Sequence, residues 1–210
     1  EGTEQRLLFP KENYKTDNIT LRLGIAVNTI KRKENTISLS DGSSQTYDKL
    51  VIATGASPFI PPIQGIDMAN NVFPMRTADD AVNIRNTINN SLHKRAVIIG
   101  GGYIGLETAA SLKKRGAHVT VIEREERVLA RVTAAEMSEF FTKLHLRNGV
   151  EIHTNKHVIS IKRKGNYSVV ACDDGTKLNA DLIVVGVGIT LNTELAQNAG
   201  LDIDNGIKVD

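Results

Sequence analysis

The stretch Arg95-Ala-Val-Ile-Ile-Gly-Gly-Gly-Tyr-Ile-Gly-Leu-Glu-Thr-Ala-Ala-Ser-Leu-Lys-Lys-Arg-Gly-Ala-His-Val-Thr-Val-Ile-Glu123 decides the fold. Ala96 to Ile99 is an apolar run of strand length, Gly100-Gly-Gly102 breaks it, and Tyr103 to Arg115 spaces its apolar residues as an amphipathic helix does. His118 to Ile122 is a second strand, ending in an acid. Strand, turn, helix and strand make one βαβ unit.

Each glycine of Gly100, Gly102 and Gly105 has a separate task. The first allows a tight turn off the strand, the second lets a pyrophosphate approach the backbone, and the third lets helix and strand pack closely. The helix N-terminus adds unpaired N–H donors and the positive end of its dipole. Glu123, 18 residues past Gly105, ends the second strand, where its carboxylate accepts hydrogen bonds from an adenosine ribose. A glycine triplet alone is weak evidence. Here strand, turn, helix, strand and acid fall in register.

Working outward, 210 residues with 40% hydrophobic content suffice for one large domain, or one domain and part of another. The 26 basic residues are interleaved with 24 acidic ones, and a net charge of +2 does not argue for nucleic acid or a membrane surface. No apolar run reaches membrane-spanning length, and Glu1-Gly-Thr-Glu-Gln5 lacks the basic-then-apolar layout of a signal peptide. The single Cys172 forms no internal disulfide, which together with these points fits a cytoplasmic protein. His93, His118, His145, His153 and His157 have no metal-ligand spacing, so no metal site is expected.

Towards the N-terminus, Ile19 to Leu23, Ile25 to Ile30 and Thr36 to Leu39 read as short strands of an antiparallel meander, with sheet rather than helix expected over the first fifty residues. Tyr47 to Thr54 reads as a buried strand running into Gly55-Ala56. Pro58, Pro61 and Pro62 mark a linker, and Thr77 is the expected N-cap of a helix over 77–91 carrying Ala81, Ile84 and Ile88.

Past Glu123, Thr133 to Arg147 places Ala134, Met137, Phe140, Phe141 and Leu144 on one helical face. A strand over Val150 to His153 follows, then a second meander from His157 to Leu178 with a turn at Asp174-Gly175. Asp181 to Val185 is a further strand, ending in Gly186-Val-Gly188. A short helix over Thr193 to Ala199 and a closing strand over Gly206 to Val209 finish the chain.

Several of these segments, in order, carry a resemblance. They are Tyr47-Asp-Lys-Leu-Val-Ile-Ala-Thr-Gly-Ala56, Arg76-Thr-Ala-Asp-Asp-Ala81, Gly100-Gly-Gly-Tyr-Ile-Gly-Leu-Glu107, Arg127-Val-Leu-Ala-Arg-Val132, Gly186-Val-Gly-Ile189 and Asn192-Thr-Glu-Leu-Ala196. Together they are similar to the FAD-dependent pyridine nucleotide-disulfide oxidoreductases, above all to the branch of NADH-dependent ferredoxin and rubredoxin reductases. The resemblance implies an α/β fold, a Rossmann-like FAD/NAD(P)-binding three-layer ββα domain with a central parallel sheet and an antiparallel β-meander. It lacks the family's first glycine motif, its later Gly-Asp motif and its C-terminal interface domain. The chain therefore reads as an internal fragment: 1–56 the middle of an incomplete FAD-binding domain, 57–75 a linker, 76–190 the NAD-binding domain, and 191–210 a return segment.

The resemblance also implies roles for individual residues. Gly100, Gly101, Gly102, Tyr103, Ile104 and Gly105 hold the NADH pyrophosphate, and Glu123 its adenosine ribose. A 2′-phosphate beside Glu123 is disfavoured, which favours NADH over NADPH, with Arg124 and Arg127 near enough in sequence to soften the preference. Glu107 is the expected catalytic residue, facing nicotinamide and flavin; the alternative is a solvated helix carboxylate. Gly188 lets backbone approach the nicotinamide half, or is a plain turn glycine. Val27, Arg76 and the Ala53-Thr54-Gly55 turn touch FAD, although Val27 reads equally as a core strand residue. Thr190-Leu191 departs from the basic residue and proline that relatives often carry there.

The expected activity is electron transfer from NADH through FAD to a ferredoxin- or rubredoxin-type iron–sulfur partner, the cofactors doing the hard chemistry. The fragment itself is expected to be inactive, to hold little FAD, and to self-associate through exposed strand edges. Two other readings stay open: an NADH oxidase, peroxidase or nitrite reductase type of flavoprotein, and a non-catalytic dinucleotide-binding module. The absence of a Cys-x-x-Cys pair argues against thioredoxin and lipoamide reductases.

Overall fold

In the computed structural model, which describes residues 11–209, the Arg95–Glu123 stretch folds as read, with strand Arg95–Ile99, helix Tyr103–Lys114 and strand His118–Ile122. The expectation about Glu1 to Gln5, and the outer ends of the two terminal segments, lie outside the described residues. The chain divides into two compact units, one of residues 1–57 with 190–210 and one of residues 58–189.

The first unit opens with helix α1 (Lys11–Thr16), where sheet was expected. Glu12 in its first turn and Lys15 in its last suit the helix dipole, and Asn18 ends it with a φ of 56°. Strands β1 (Val27–Lys31), β2 (Thr36–Leu39) and β3 (Ser44–Thr46) then form the antiparallel meander in the order β1-β2-β3. Residues 19–23 form no strand. Nor do residues 47–54: Val51 is 87% exposed, because an apolar run becomes a buried strand only where neighbours supply hydrogen-bond partners and cover. A three-residue strand, β4 (Ala56–Pro58), leads out of this unit.

In the second unit, β5 (Val72–Pro74) and α2 (Ala78–Asn89) precede β6 (Arg95–Ile99), α3 (Tyr103–Lys114) and β7 (His118–Ile122). Thr77 caps α2 as expected. Its hydroxyl accepts from the Asp80 N–H at 3.1 Å while the Asp80 carboxylate accepts from the Thr77 N–H at 2.8 Å. Helix α4 (Ala135–Arg147) and β8 (Glu151–His153) follow, then the meander β9 (Val158–Lys164), β10 (Tyr167–Cys172) and β11 (Lys177–Ala180), and finally β12 (Leu182–Val185).

Five parallel strands order as β5-β12-β6-β7-β8, with the meander as a separate antiparallel sheet β11-β10-β9. The alternation of side chains along the parallel strands sorts the core into two layers. Ala96, Ile98, Val119, Val121, Leu182 and Val184 meet Ile84 and Ile88 of α2 and Ala109 and Leu112 of α3. Val97, Ile99, Ile122, Ile183 and Val185 face the meander's Val158, Ile161, Val170 and Cys172. Helices, parallel sheet and meander are therefore stacked as three layers, the expected ββα arrangement.

The proline-rich stretch read as a linker contributes to that core: Ile63, Ile66 and Ala69 are buried in the meander-facing layer. A partly buried ion pair ties the residue before β12 to the first residue of β6. Asp181 accepts from the Arg95 backbone N–H at 2.8 Å, from Nε at 3.1 Å and from Nη2 at 2.8 Å, and the same guanidinium lies 5.0 Å from the Tyr167 ring centroid. On α4 the expected apolar face is covered only in part. Phe141 packs against Leu106, Val128 and Leu129, but Met137, Phe140 and Leu144 are exposed, while Ser138 and His145 are buried.

The chain returns to the first unit through β13 (Ile189–Leu191) and α5 (Glu194–Asn198). The closing strand expected over 206–209 is reduced to a single bridge between Ile203 and Ile207, because Asp204-Asn205-Gly206 turns the backbone, with positive φ at Asn205 and Gly206. Among the described residues no helix is long and apolar enough to cross a membrane, and no group of three or more His, Cys, Asp or Glu side chains is placed to hold a metal.

Candidate functional site

At the C-terminal ends of β6, β7 and β12 the second unit opens into a cavity of about 380 Å³. A parallel sheet places its ligand crevice at this edge, because the turns after the strands diverge there. Gly100, Gly102, Tyr103 and Ile104 line one side, Gly186 to Ile189 another, and Glu123, Arg124 and Glu125 a third. Phe59, Pro61 and Ile63 supply apolar wall. Arg76, Arg124, Arg131, Lys156 and His157 also line it; with Lys156 paired to Asp174 and Arg124 to Glu125, Arg76 and Arg131 carry the positive charge on offer to a ligand with phosphates.

Gly100 leaves β6 with a φ of 107° and its carbonyl lies so near Gly105 that any side chain there would overlap it. This contact, rather than a ligand, explains Gly105, which is buried and does not line the cavity. Gly102 is the opposite case. A Cβ on it would meet nothing within 4 Å, so the space in front of the helix N-terminus is open for a ligand. Gly188, at φ 135°, also faces open space, and its carbonyl accepts from the Phe59 N–H at 3.0 Å.

Glu123 sits where the sequence puts it, but its carboxylate already has partners. Oε2 accepts from the Gly101 N–H at 2.6 Å and Oε1 from the Glu125 N–H at 2.8 Å. Gly101 is thus part of the site through this bond and not as cavity lining. Each carboxylate oxygen keeps a further lone pair for a ribose hydroxyl.

The two arginines expected to soften the NADH preference behave differently. Arg124 is exposed, lines the cavity, and pairs with Glu125 at 3.0 Å. Arg127 turns inward, with its guanidinium on the Thr133 and Ala130 carbonyls and the Ser138 hydroxyl, which takes it away from any phosphate. Arg131, to which no role attached in the sequence, lines the cavity beside the Gly186–Gly188 turn, with Nη2 3.4 Å from the Val187 carbonyl oxygen.

Glu107 is exposed on α3, one helical turn past Tyr103, and is not among the residues lining the cavity. Arg76, expected to touch FAD, is exposed and lines this same cavity. Val27 is half-buried on β1 in the first unit, and Ala53, Thr54 and Gly55 form an exposed turn there. That turn is held by Asn192, whose N–H donates to Gly55 O at 3.0 Å and whose Nδ2 donates to Thr54 O at 2.9 Å. Its carbonyl and Oδ1 in turn accept from the Thr54 and Ser57 hydroxyls at 2.5 and 2.9 Å. The sequence flagged the Asn192 run as a motif without giving Asn192 this task. Cys172 is buried and its thiol is pushed up, chiefly by burial, which suits a packing residue and not a redox centre.

The family model for pyridine nucleotide-disulphide oxidoreductases matches residues 3–210. The chain is 41% identical over 211 residues to putidaredoxin reductase CamA of Pseudomonas putida, covering 98% of this chain and 50% of that protein. It is 36% identical over 208 residues to rhodocoxin reductase of Rhodococcus erythropolis, covering 99% and 48%. Among solved structures, the ferredoxin reductase for the CYP199A2 system from Rhodopseudomonas palustris aligns with a TM-score of 0.92 at 32% identity, over 99% of this chain and 51% of that one. The chain spans about half the length of the relatives it matches. With a three-layer ββα unit, a glycine turn opening on the crevice and an acid across from it, the chain belongs to the pyridine nucleotide-disulphide oxidoreductase family.

Proposed function

We propose that this chain is the NADH-binding part, with a portion of the FAD-binding part, of a flavoprotein that passes electrons to a ferredoxin- or rubredoxin-type iron–sulfur protein. The observation that carries the reading is the open space before Gly102 at the N-terminus of α3, with Glu123 on the same cavity. The residues fit a dinucleotide: N–H donors at a helix start for the pyrophosphate, an acid for the ribose, and a side-chain-free Gly188 for the nicotinamide half. The relatives named above are themselves reductases of putidaredoxin and rhodocoxin, which supports the choice of acceptor.

Bound NADH and FAD supply hydride transfer and the splitting of an electron pair into single electrons. This chain's residues orient and shield. Gly102, Tyr103 and Ile104 present backbone N–H groups to the pyrophosphate, Glu123 holds the ribose, and Phe59, Pro61 and Ile63 exclude water from one wall. Glu107 lies outside the cavity lining and would be the residue facing nicotinamide and flavin. Val27, the Asn192-braced turn Ala53-Thr54-Gly55 and Arg76 would touch the FAD. NADH is preferred to NADPH because Glu123 repels a 2′-phosphate, Arg124 is paired and Arg127 is turned inward. Val51 and Leu23, exposed in the first unit, favour self-association of the 210-residue chain. The same reading puts the protein in the cytoplasm, which supplies NADH.

Titration calorimetry of the 210-residue chain with NADH and with NADPH tests the cofactor. NADH is expected to bind more tightly. Failure of a chain with native circular dichroism to bind NADH would remove the reading. For the activity, the whole protein reconstituted with FAD is expected to reduce an iron–sulfur protein with NADH. Oxygen consumption with no transfer to any iron–sulfur protein would point to an oxidase instead.

A further inference from the structure

Gly101 is clamped at both of its backbone polar atoms. Its N–H is held by Glu123, and its carbonyl accepts from the Leu129 N–H at 3.0 Å. A trans peptide points its C=O and N–H in opposite directions. Anchoring the Gly101 carbonyl to Leu129 therefore aims the next N–H, that of Gly102, the other way. Gly102 lines the cavity, and its N–H has no partner among the described residues.

The anchor is itself a strained residue. Leu129 has a φ of 56°, a left-handed conformation that costs a non-glycine residue about 1–2 kcal/mol. Something must hold it, and the loop before α4 contains the means. Arg127 Nη1 donates to the Thr133 carbonyl at 3.1 Å and to Ser138 Oγ at 2.6 Å, while Nη2 donates to the Ala130 carbonyl at 3.0 Å. Ser138, buried on α4, donates its own hydroxyl to the Val128 carbonyl at 2.6 Å. The carbonyls on both sides of Leu129, those of Val128 and Ala130, are thereby fixed by one guanidinium and one hydroxyl. Val128 is fully buried with Leu129 and Leu106, and its Cγ1 would stand 3.0 Å from a Cβ on Gly101.

We infer that Arg127, acting with Ser138, is a positioning residue for nucleotide binding: it locks Leu129 in the left-handed conformation and so sets the Gly101–Gly102 peptide that presents its N–H to the pyrophosphate. The role rests on the proposed NADH site. It assigns to Arg127 a task that a phosphate-facing arginine would not have, since its guanidinium never meets the ligand. Lysine cannot replace it, because one ammonium cannot span the Thr133, Ala130 and Ser138 acceptors with a fixed planar fork.

Two measurements on the 210-residue chain separate the latch from the site. Amide hydrogen exchange without ligand reads the latch alone. In Arg127→Met and in Ser138→Ala the Leu129 N–H is expected to exchange at least about tenfold faster, while Val97 and Val121 in the parallel sheet keep wild-type protection. Unchanged Leu129 protection in both variants overturns the latch, whatever the ligand does. Calorimetry then reads its consequence. Both variants are expected to bind ADP-ribose about tenfold or more weakly than wild type, with Arg127→Lys no better than Arg127→Met, and to bind adenosine, which lacks the pyrophosphate, within about twofold of wild type. Equal weakening of both ligands would mean a general structural defect and overturns the positioning role. A wild-type chain that binds neither nucleotide overturns the NADH site and the positioning role together, while the exchange result still decides whether the latch exists.

Discussion

The carboxylate of Glu123 lies 2.6 Å from the backbone nitrogen of Gly101, closing a bond between the end of one strand and the turn after its neighbour. The acid therefore fixes the glycine turn in addition to the ribose contact proposed for it. In Glu123→Gln one terminal atom becomes an NH2 group, so either the Gly101 or the Glu125 N–H loses its acceptor. An unsatisfied donor of this kind costs about 1–3 kcal/mol. Glu123→Gln is expected to raise the Kd for NADH at least tenfold, about 1.4 kcal/mol, and to narrow the gap to NADPH by removing the repelling charge. Calorimetry with both nucleotides checks this; an NADH affinity within twofold of wild type would falsify the double role.

Gly102 and Gly105 separate function from packing within one turn of helix. Gly102 has extended backbone angles and open space before it, so Gly102→Ala is expected to leave the fold intact and to fill the space proposed for the pyrophosphate. The expected result is a melting temperature within about 2 °C of wild type and an NADH affinity weakened at least tenfold. Gly105 faces the Gly100 carbonyl at closer than van der Waals range for any Cβ. Gly105→Ala is expected to destabilise by about 2–4 kcal/mol, since helix and strand must separate to admit the methyl group. Differential scanning calorimetry on the two variants tests the assignment, and equal melting temperatures would sink it.

Much of this was legible in the sequence because the βαβ unit is written in local signals. Apolar runs, glycines at Gly100, Gly102 and Gly105, and the cap at Thr77 each act within a few residues. What was not legible depends on partners far away in the chain. The run Leu50-Val-Ile-Ala53 has strand composition, yet among the described residues no strand pairs with it. On α4 the periodicity identified an apolar face, of which Phe141 packs inward while Met137, Phe140 and Leu144 stay exposed. Ser138 and His145 take the buried positions because each finds a hydrogen-bond partner there: the Val128 carbonyl for the serine hydroxyl, and for the one N–H of the histidine ring either the Phe141 or the Leu106 carbonyl, 2.9 and 3.1 Å from its two nitrogens. The Glu123 bond to Gly101, the inward turn of Arg127 and the Asn192 brace on the 54–55 turn are likewise side-chain contacts that no spacing announces.

The pairing of Asp181 with Arg95 makes a pH prediction. Burial pushes the Asp181 carboxyl up, but the hydrogen bonds from the Arg95 side chain and backbone outweigh it, and the group ends below the ordinary carboxylate range. A carboxyl depressed in the folded state stabilises above its unfolded value, about 3.9, and loses that contribution as pH falls through the folded value. Asp41 and Glu139 are also depressed, but they sit in exposed pairs that contribute little to stability. Asp181→Asn leaves the partly buried Arg95 guanidinium without its counter-charge, so it is expected to cost about 3 kcal/mol at pH 6. Urea unfolding of the two proteins from pH 6 to pH 2.5 should show the gap closing below about pH 4, as wild type protonates and the variant has nothing left to lose. A gap that stays constant across this range would mean that Asp181 stabilises by shape and neutral hydrogen bonding rather than by its charge.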